Sequence, residues 1–251
     1  MNLYKLPHEK DTFKIYQGRI IIQMPNLIVD NRIPANISQI MERRLDFAIP
    51  PFSDERILNK SNLVKTLEED WNKYYKTKEE FLEEFNRIKR IYTHRTIDSG
   101  DAIAYHPRGK IKIILDSIDI REINPLSKRK NGYFIITEKD YNRLQGEEFK
   151  ENDLEKYGDG MSISQIKSNP LLKILSRNKE ILDRYTKYIF NNGELKFKKA
   201  MGFYINENTE NCPLIMPLHI WGLDMASHIT IRGHHYNDYC FIGLKKRELN
   251  H

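Results

Sequence analysis

Cysteine is almost missing from this chain: Cys212 and Cys240 are the only two in 251 residues. They stand far apart with no Cys-x-x-Cys spacing, which argues against a zinc knuckle or a disulfide framework and makes a reducing compartment the expectation. Long apolar runs are missing as well. No stretch approaches the length that a bilayer crossing requires, and the opening residues MNLYKLPHEKDTFKIY are polar and broken by a proline, unlike a secretory leader. These features predict a cytoplasmic protein with no membrane partner. Gly158-Asp-Gly160 does not make a phosphate-binding loop, and neither Gly-x-Gly-x-x-Gly, Gly-x-Ser-x-Gly nor His-Glu-x-x-His occurs. Dinucleotide-binding, nucleophile-elbow and helical zinc-protease readings therefore lack their mechanical parts. Internal repeats, low-complexity tracts and lipidation motifs are absent too.

What is present is enough for a folded core. Hydrophobic residues make up 39% of the chain and aromatic residues 11%, while the 30% that are charged are dispersed rather than blocked. That composition can offset the entropy of ordering, and the length suits a single domain spanning 1–251, with a subdomain boundary expected near 157–162 around the Gly158 and Gly160 turn. Forty-one Lys and Arg against 35 Asp and Glu give a net charge of +6, which favours polyanionic partners by long-range attraction.

The apolar spacing alternates between strand and helix periods. Phe13 to Met24 reads as a strand around Gly18, with Ile20, Ile21 and Ile22 suited to burial. Leu63, Leu67, Trp71 and Tyr74 recur at helical intervals. A second amphipathic helix starts at the capping box Thr77 to Glu80 and carries Phe81, Phe85, Ile88 and Ile91. Residues 93–109 read as a polar loop, followed by a strand from Lys110 with Phe134 on its neighbour. One strong helix is predicted from an N-cap near Ser168, through Pro170 and Leu171 to Ile189, ending before Gly193. The last sixty residues read as antiparallel strands near 195–205, 214–221, 226–232 and 239–244. The fold class expected is α+β, with antiparallel β-sheets and segregated amphipathic helices.

Half of the eight histidines, His219, His228, His234 and His235, fall within one C-terminal run. A two-residue period places His228, Thr230 and Arg232 on one face of a strand, with Ile229 and Ile231 on the other. An imidazole, a hydroxyl and a guanidinium in line can move a proton, bond a phosphoryl oxygen and neutralise its charge without metal. An ordinary exposed sheet face is the alternative reading of the same pattern. No cofactor and no metal are expected; were a metal bound, His219, His228 and His234 could meet across adjacent strands, with Asp224 or Asp238 as a carboxylate.

A second triplet, His94-Arg95-Thr96, matches the pattern of His228-Ile229-Thr230. On His94, Thr96, His228 and Thr230 the chain resembles the 2H phosphoesterases, a family built on two His-x-Thr or His-x-Ser motifs. The resemblance implies a metal-independent enzyme acting on cyclic phosphates or phosphodiester bonds of RNA and nucleotides. One of His94 and His228 would be the general base and the other the general acid, with Thr96, Thr230 and Arg232 binding phosphate. His219 or His234 substitutes for His94 if the triplets lie apart. The other reading is a non-enzymatic module whose basic surface meets nucleic acid or an acidic protein. The partners expected are thus RNA or a phosphorylated small molecule in the first case, and RNA or an acidic protein in the second.

Overall fold

The computed structural model of this chain describes residues 13–18, 20–49, 51–52, 61–116, 129–130, 133–155, 157–191, 197–205, 211–231 and 240–245. The N-terminal part runs β1 (Phe13–Gln17), α1 (Ile20–Val29), β2 (Arg32–Pro34), α2 (Ile37–Asp46), α3 (Asn62–Asp70) and α4 (Lys78–His94). Two strands follow, β3 (Ile97–His106) and β4 (Lys110–Ile114), then β5 (Arg129–Lys130), β6 (Tyr133–Ile135), α5 (Glu138–Arg143), β7 (Glu148–Lys150) and α6 (Glu151–Glu155). Three helices, α7 (Ile163–Ser168), α8 (Pro170–Ser176) and α9 (Lys179–Asn191), precede β8 (Phe203–Ile205), β9 (Leu214–Ile220), β10 (Ile229–Ile231) and β11 (Cys240–Lys245). The fold is α+β. Among the described residues, no helix is long and apolar enough to cross a membrane.

The central strands order as β1-β11-β3-β9-β10-β8. Pairing is mixed rather than purely antiparallel, because β11 lies parallel to β3 and β10 parallel to β8. The C-terminal strands therefore do not form a meander: β11 leaves β9 and β10 and inserts between β1 and β3. Helices α2, α4, α7, α8 and α9 pack on one face of this sheet, burying Phe81, Phe85, Leu172, Leu182 and Tyr185 against Ile97, Ile220, Ile229 and Ile242.

The apolar spacing of α3 and α4 acts as read, but the capping box closes only on its Thr77 side, because the Glu80 carboxylate accepts from the Lys76 amide at 3.0 Å and not from that of Thr77. Ser61 and Thr77 cap them by accepting from the Val64 and Glu80 amides, and Val64, Leu67, Phe81, Phe85 and Ile88 are buried. The Leu63 to Tyr74 pattern loses its α geometry at Trp71, where a 3-10 turn, Trp71–Lys73, takes over.

Four expectations about elements change. Ile20, Ile21 and Ile22 open helix α1 rather than continuing β1, because Gly18 turns the chain at φ 117°; Gln23 and Leu27, four apart on the helix, are buried. Phe134 pairs with β9 and not with the Lys110 strand, whose partners are β3 and β7. The long helix expected over 168–189 starts in the expected place but is broken once. Asn169 ends α7 and caps α8, with Pro170 at its start, and Arg177 at φ 54° stops α8 before α9.

The fourth change concerns residues 93–109, expected as a polar loop. They contain β3, ten residues long and buried throughout. Its polar side chains are each matched. Ser99 donates to the Leu218 carbonyl at 2.9 Å, and Asp101 accepts from the Ile37 amide at 2.8 Å and from Arg177 Nη2 at 2.7 Å. His106 meets Glu138 at 2.8 Å. Buried polar groups are tolerated when hydrogen-bonded, so a polar sequence can form a central strand. A bulge between Asp98 and Ala102 carries Asp101 out of the ladder to the first turn of α2.

Candidate functional site

Two adjacent rows of residues cross the sheet at the level of the C-terminal histidines. One row, Cys240, Ile97, Ile220, Ile229 and Phe203, faces the helices and is wholly apolar apart from the thiol. The next row lies on the reverse face: Tyr16, Phe241, Asp98, His219, Thr230 and Tyr204, each opposite the next. Strand alternation produces this separation, since neighbours along each strand point to opposite faces.

At the centre of the polar row, His219 Nδ1 and Asp98 Oδ1 form a hydrogen bond between side chains that are 4% and 0% exposed. Opposite a carboxylate oxygen, Nδ1 carries the proton and Asp98 fixes the ring's orientation. The second oxygen, Asp98 Oδ2, is buried without a hydrogen-bond partner among the described residues. Asp98 was not legible as a site residue: it lies 121 positions from His219, and only the pairing of β3 with β9 brings the two together.

His228 lies just before β10, half-buried, in a different environment. Its Nδ1 accepts the Gly202 amide proton at 2.7 Å, so this nitrogen holds a lone pair and the neutral ring is the form bound. Burial lowers its pKa from the ordinary histidine value, again favouring the neutral imidazole. Tyr204 and Trp221 stack on one another with centroids 5.2 Å apart and planes 9° apart, and the His228 ring stands across both at 82° and 87°.

The residues expected to serve phosphate chemistry are placed as follows. Thr230 shares the face of His228 and His219, but it is fully buried and its hydroxyl donates to the Tyr204 carbonyl at 3.3 Å. His94 is the last residue of α4, exposed, with Nδ1 2.7 Å from Thr93 Oγ1. Thr96 leads into β3, and its carbonyl accepts the Cys240 amide at 3.2 Å. The His94 backbone abuts the turn before His228, since a side chain at Gly222 would reach to 2.6 Å from the His94 carbonyl. The two rings are not joined by a hydrogen bond or ring contact among the described residues. Arg232, His234, His235 and Asp238 lie outside the described residues.

Beneath the turn sits Arg44, fully buried. Its guanidinium donates to the carbonyls of Tyr92, Trp221 and Arg95 and to the hydroxyls of Tyr185 and Ser227. It ties α2, the end of α4, α9 and the 221–227 turn into one rigid support. Cys240 is buried in the apolar row, and burial pushes its thiol up to about 12, so it stays protonated and unreactive. As to the metal alternative, among the described residues no group of three His, Cys, Asp or Glu side chains gathers to hold an ion. His219 is engaged by Asp98, His228 by Gly202, and Asp224 is exposed.

No family model matches the chain, and no curated protein matches it. Among solved structures it is similar to a protein described under "Accommodation of massive sequence variation in Nanoarchaeota by the C-type lectin fold". The likeness has a TM-score of 0.55 at 9% identity and covers 96% of this chain and 100% of that one. It is a likeness of fold alone.

Proposed function

We propose that the protein is a non-enzymatic binding module for nucleic acid, engaging the phosphate backbone through the outer surface of α7, α8 and α9. The observation that carries this reading is charge. Residues 163–191 hold six basic side chains, Lys167, Lys173, Arg177, Lys179, Arg184 and Lys187, against Glu180 and Asp183. The three helices pack on one another, so these charges share one layer. Lys167 pairs with Asp183 and Arg177 with Asp101 and Asp116, whereas Lys173, Lys179 and Lys187 are exposed and form no ion pair among the described residues. Clustered exposed cations release counterions on meeting phosphates, which drives binding and makes it salt-dependent. The fold-level analogy points the same way: a scaffold described as accommodating massive sequence variation suits recognition by its surface.

The test is fluorescence anisotropy with labelled RNA and DNA strands over a salt series. Affinity should fall linearly with salt on logarithmic axes, and the triple replacement Lys173→Glu, Lys179→Glu, Lys187→Glu should weaken it and flatten the slope by about 0.7 per lost contact on single strands. Absence of binding at low salt, or an unchanged slope in the triple variant, would sink the proposal. Salt-insensitive capture of an acidic protein instead would move the partner class.

A second reading, phosphodiester processing at His228, is favoured by one observation: burial keeps that imidazole neutral, so its Nδ1 can take a proton once it leaves the Gly202 amide. It requires Thr230 to turn from the Tyr204 carbonyl toward substrate. Turnover of RNA or a cyclic nucleotide, lost in His228→Ala and retained on removal of divalent metal, would establish it.

A further inference from the structure

Three backbone segments meet around His228: the 157–161 turn, residues 199–203 leading into β8, and the 221–229 connection into β10. The first two are zipped by main-chain bonds. Met161 and Ala200 exchange bonds of 2.7 and 2.9 Å, and the Phe203 amide donates to the Tyr157 carbonyl. A side chain at Gly202 would lie 2.6 Å from the Gly160 amide nitrogen and the Tyr157 carbonyl, so the turn rests directly on that residue. The second and third segments are joined at Met201 N to Ala226 O (2.9 Å), Ile229 N to Gly202 O (2.8 Å) and Gly202 N to His228 Nδ1 (2.7 Å). Of these bonds only the last has a titratable acceptor.

The backbone here is under strain. Met201, Ala226 and Ser227 all hold left-handed φ values, 52°, 53° and 51°, which residues with a Cβ rarely adopt. Such geometry persists when surrounding bonds over-determine it, so each bond that fixes Gly202 against His228 also holds the strain in place. Strand β8 is short and terminates the central strand order, and Tyr204 within it forms half of the aromatic stack.

We propose that His228 is a pH-sensitive latch, whose protonation releases the 157–161 turn and β8 from the end of the sheet. A proton on Nδ1 removes the acceptor and turns a donor toward the Gly202 N–H, so the bond becomes a repulsion between two donors. The titratable and charged groups on the described segments around the ring are Tyr157 and Asp159 on the turn, Lys198 and Lys199 before Gly202, Tyr204 on β8 and Asp224 on the 3-10 turn Leu223–Met225, with Arg44 beneath the 221–227 turn and His94 and Arg95 at the end of α4 that abuts it. None of these hydrogen-bonds the His228 ring, and the next carboxylate along the polar row, Asp98, is engaged by His219. Burial opposes the charge, so the latch is closed at neutral pH and opens on acidification below the ordinary histidine range. This device does not depend on nucleic-acid binding by α7–α9.

The test uses the full chain with Trp71→Phe, leaving Trp221 as the fluorescent reporter. Between pH 8 and pH 5 the Trp221 emission should change in one transition that coincides with the NMR titration of the His228 ring. Exchange of the Gly202 amide, corrected for intrinsic pH dependence, should rise by about tenfold per pH unit as the pH falls from the ordinary histidine range to the midpoint, and level off below it. His228→Asn supplies a carbonyl acceptor that gains no proton, and should abolish both responses while keeping the turn closed. Flat Trp221 emission and Gly202 exchange across the range in the parent chain would overturn the proposal. So would the same transition in His228→Asn.

Discussion

His219 and His228 flank the β9–β10 pairing on the same face of the sheet, yet their Nδ1 atoms do opposite things. At His219 the nitrogen faces the Asp98 carboxylate and donates; at His228 it faces the Gly202 amide and accepts. One imidazole is hydrogen-bonded to a buried carboxyl side chain, the other is held neutral at the junction of strained turns. The chemistry of a histidine is therefore decided by the single atom opposite its ring nitrogen, and here by which strand supplies that atom.

The comparison breaks most severely at His219. His219→Ala strands the Asp98 carboxylate in the sheet, and unfolding in urea should show a loss of about 3–5 kcal/mol, as for other buried pairs cut on one side. His228→Ala should cost less, because it leaves behind only a backbone amide beside a half-buried space. Next in size is Gly202→Ala, whose Cβ would meet two backbone atoms of the 157–160 turn at 2.6 Å; the expected loss is about 1–3 kcal/mol, read from the thermal midpoint.

A smaller effect separates the two rings by pH. The folded pKa of His228 lies below its unfolded value of about 6.5, so its contribution to stability is complete above that value and is lost as pH falls toward the folded pKa. Denaturation curves collected across this window should lose stability in the parent chain and lose less in His228→Asn. The smallest perturbation probes the apolar row beside the two histidines. Iodoacetamide should label Cys212, which is partly exposed, while Cys240 reacts only after unfolding, because burial holds its thiol near 12.

Which parts of this arrangement could be read from the amino-acid order depends on how local the cause is. Helices α3 and α4 announce themselves because caps and apolar spacing lie within a few residues of one another. The alternation of Ile229 and Thr230 is likewise local, and Ile229 does enter the core. Strand β3 was hidden because Asp98, Ser99, Asp101 and His106 give it the composition of a loop. Their partners, His219, Leu218, Arg177 and Glu138, are scattered over the following 121 positions. Nor does any local pattern reveal that the Thr230 hydroxyl is taken by the Tyr204 carbonyl, or that Gly202 supplies the proton facing His228. Those depend on β8 lying parallel to β10, which no turn dictates.

The insertion of β11 between β1 and β3 has a consequence for how the molecule is made. Phe13 pairs with Leu244 and Ile97 with Cys240, so the middle of the sheet can close only after the last described strand has left the ribosome. Until then β1 and the Ile97–Asp98 start of β3 lack their β11 partner, and the helices have an incomplete surface to rest on. Closing loops of this length costs entropy before any contact rewards it, which predicts slow folding. Truncation before Cys240 should therefore abolish cooperative folding rather than merely trim the sheet.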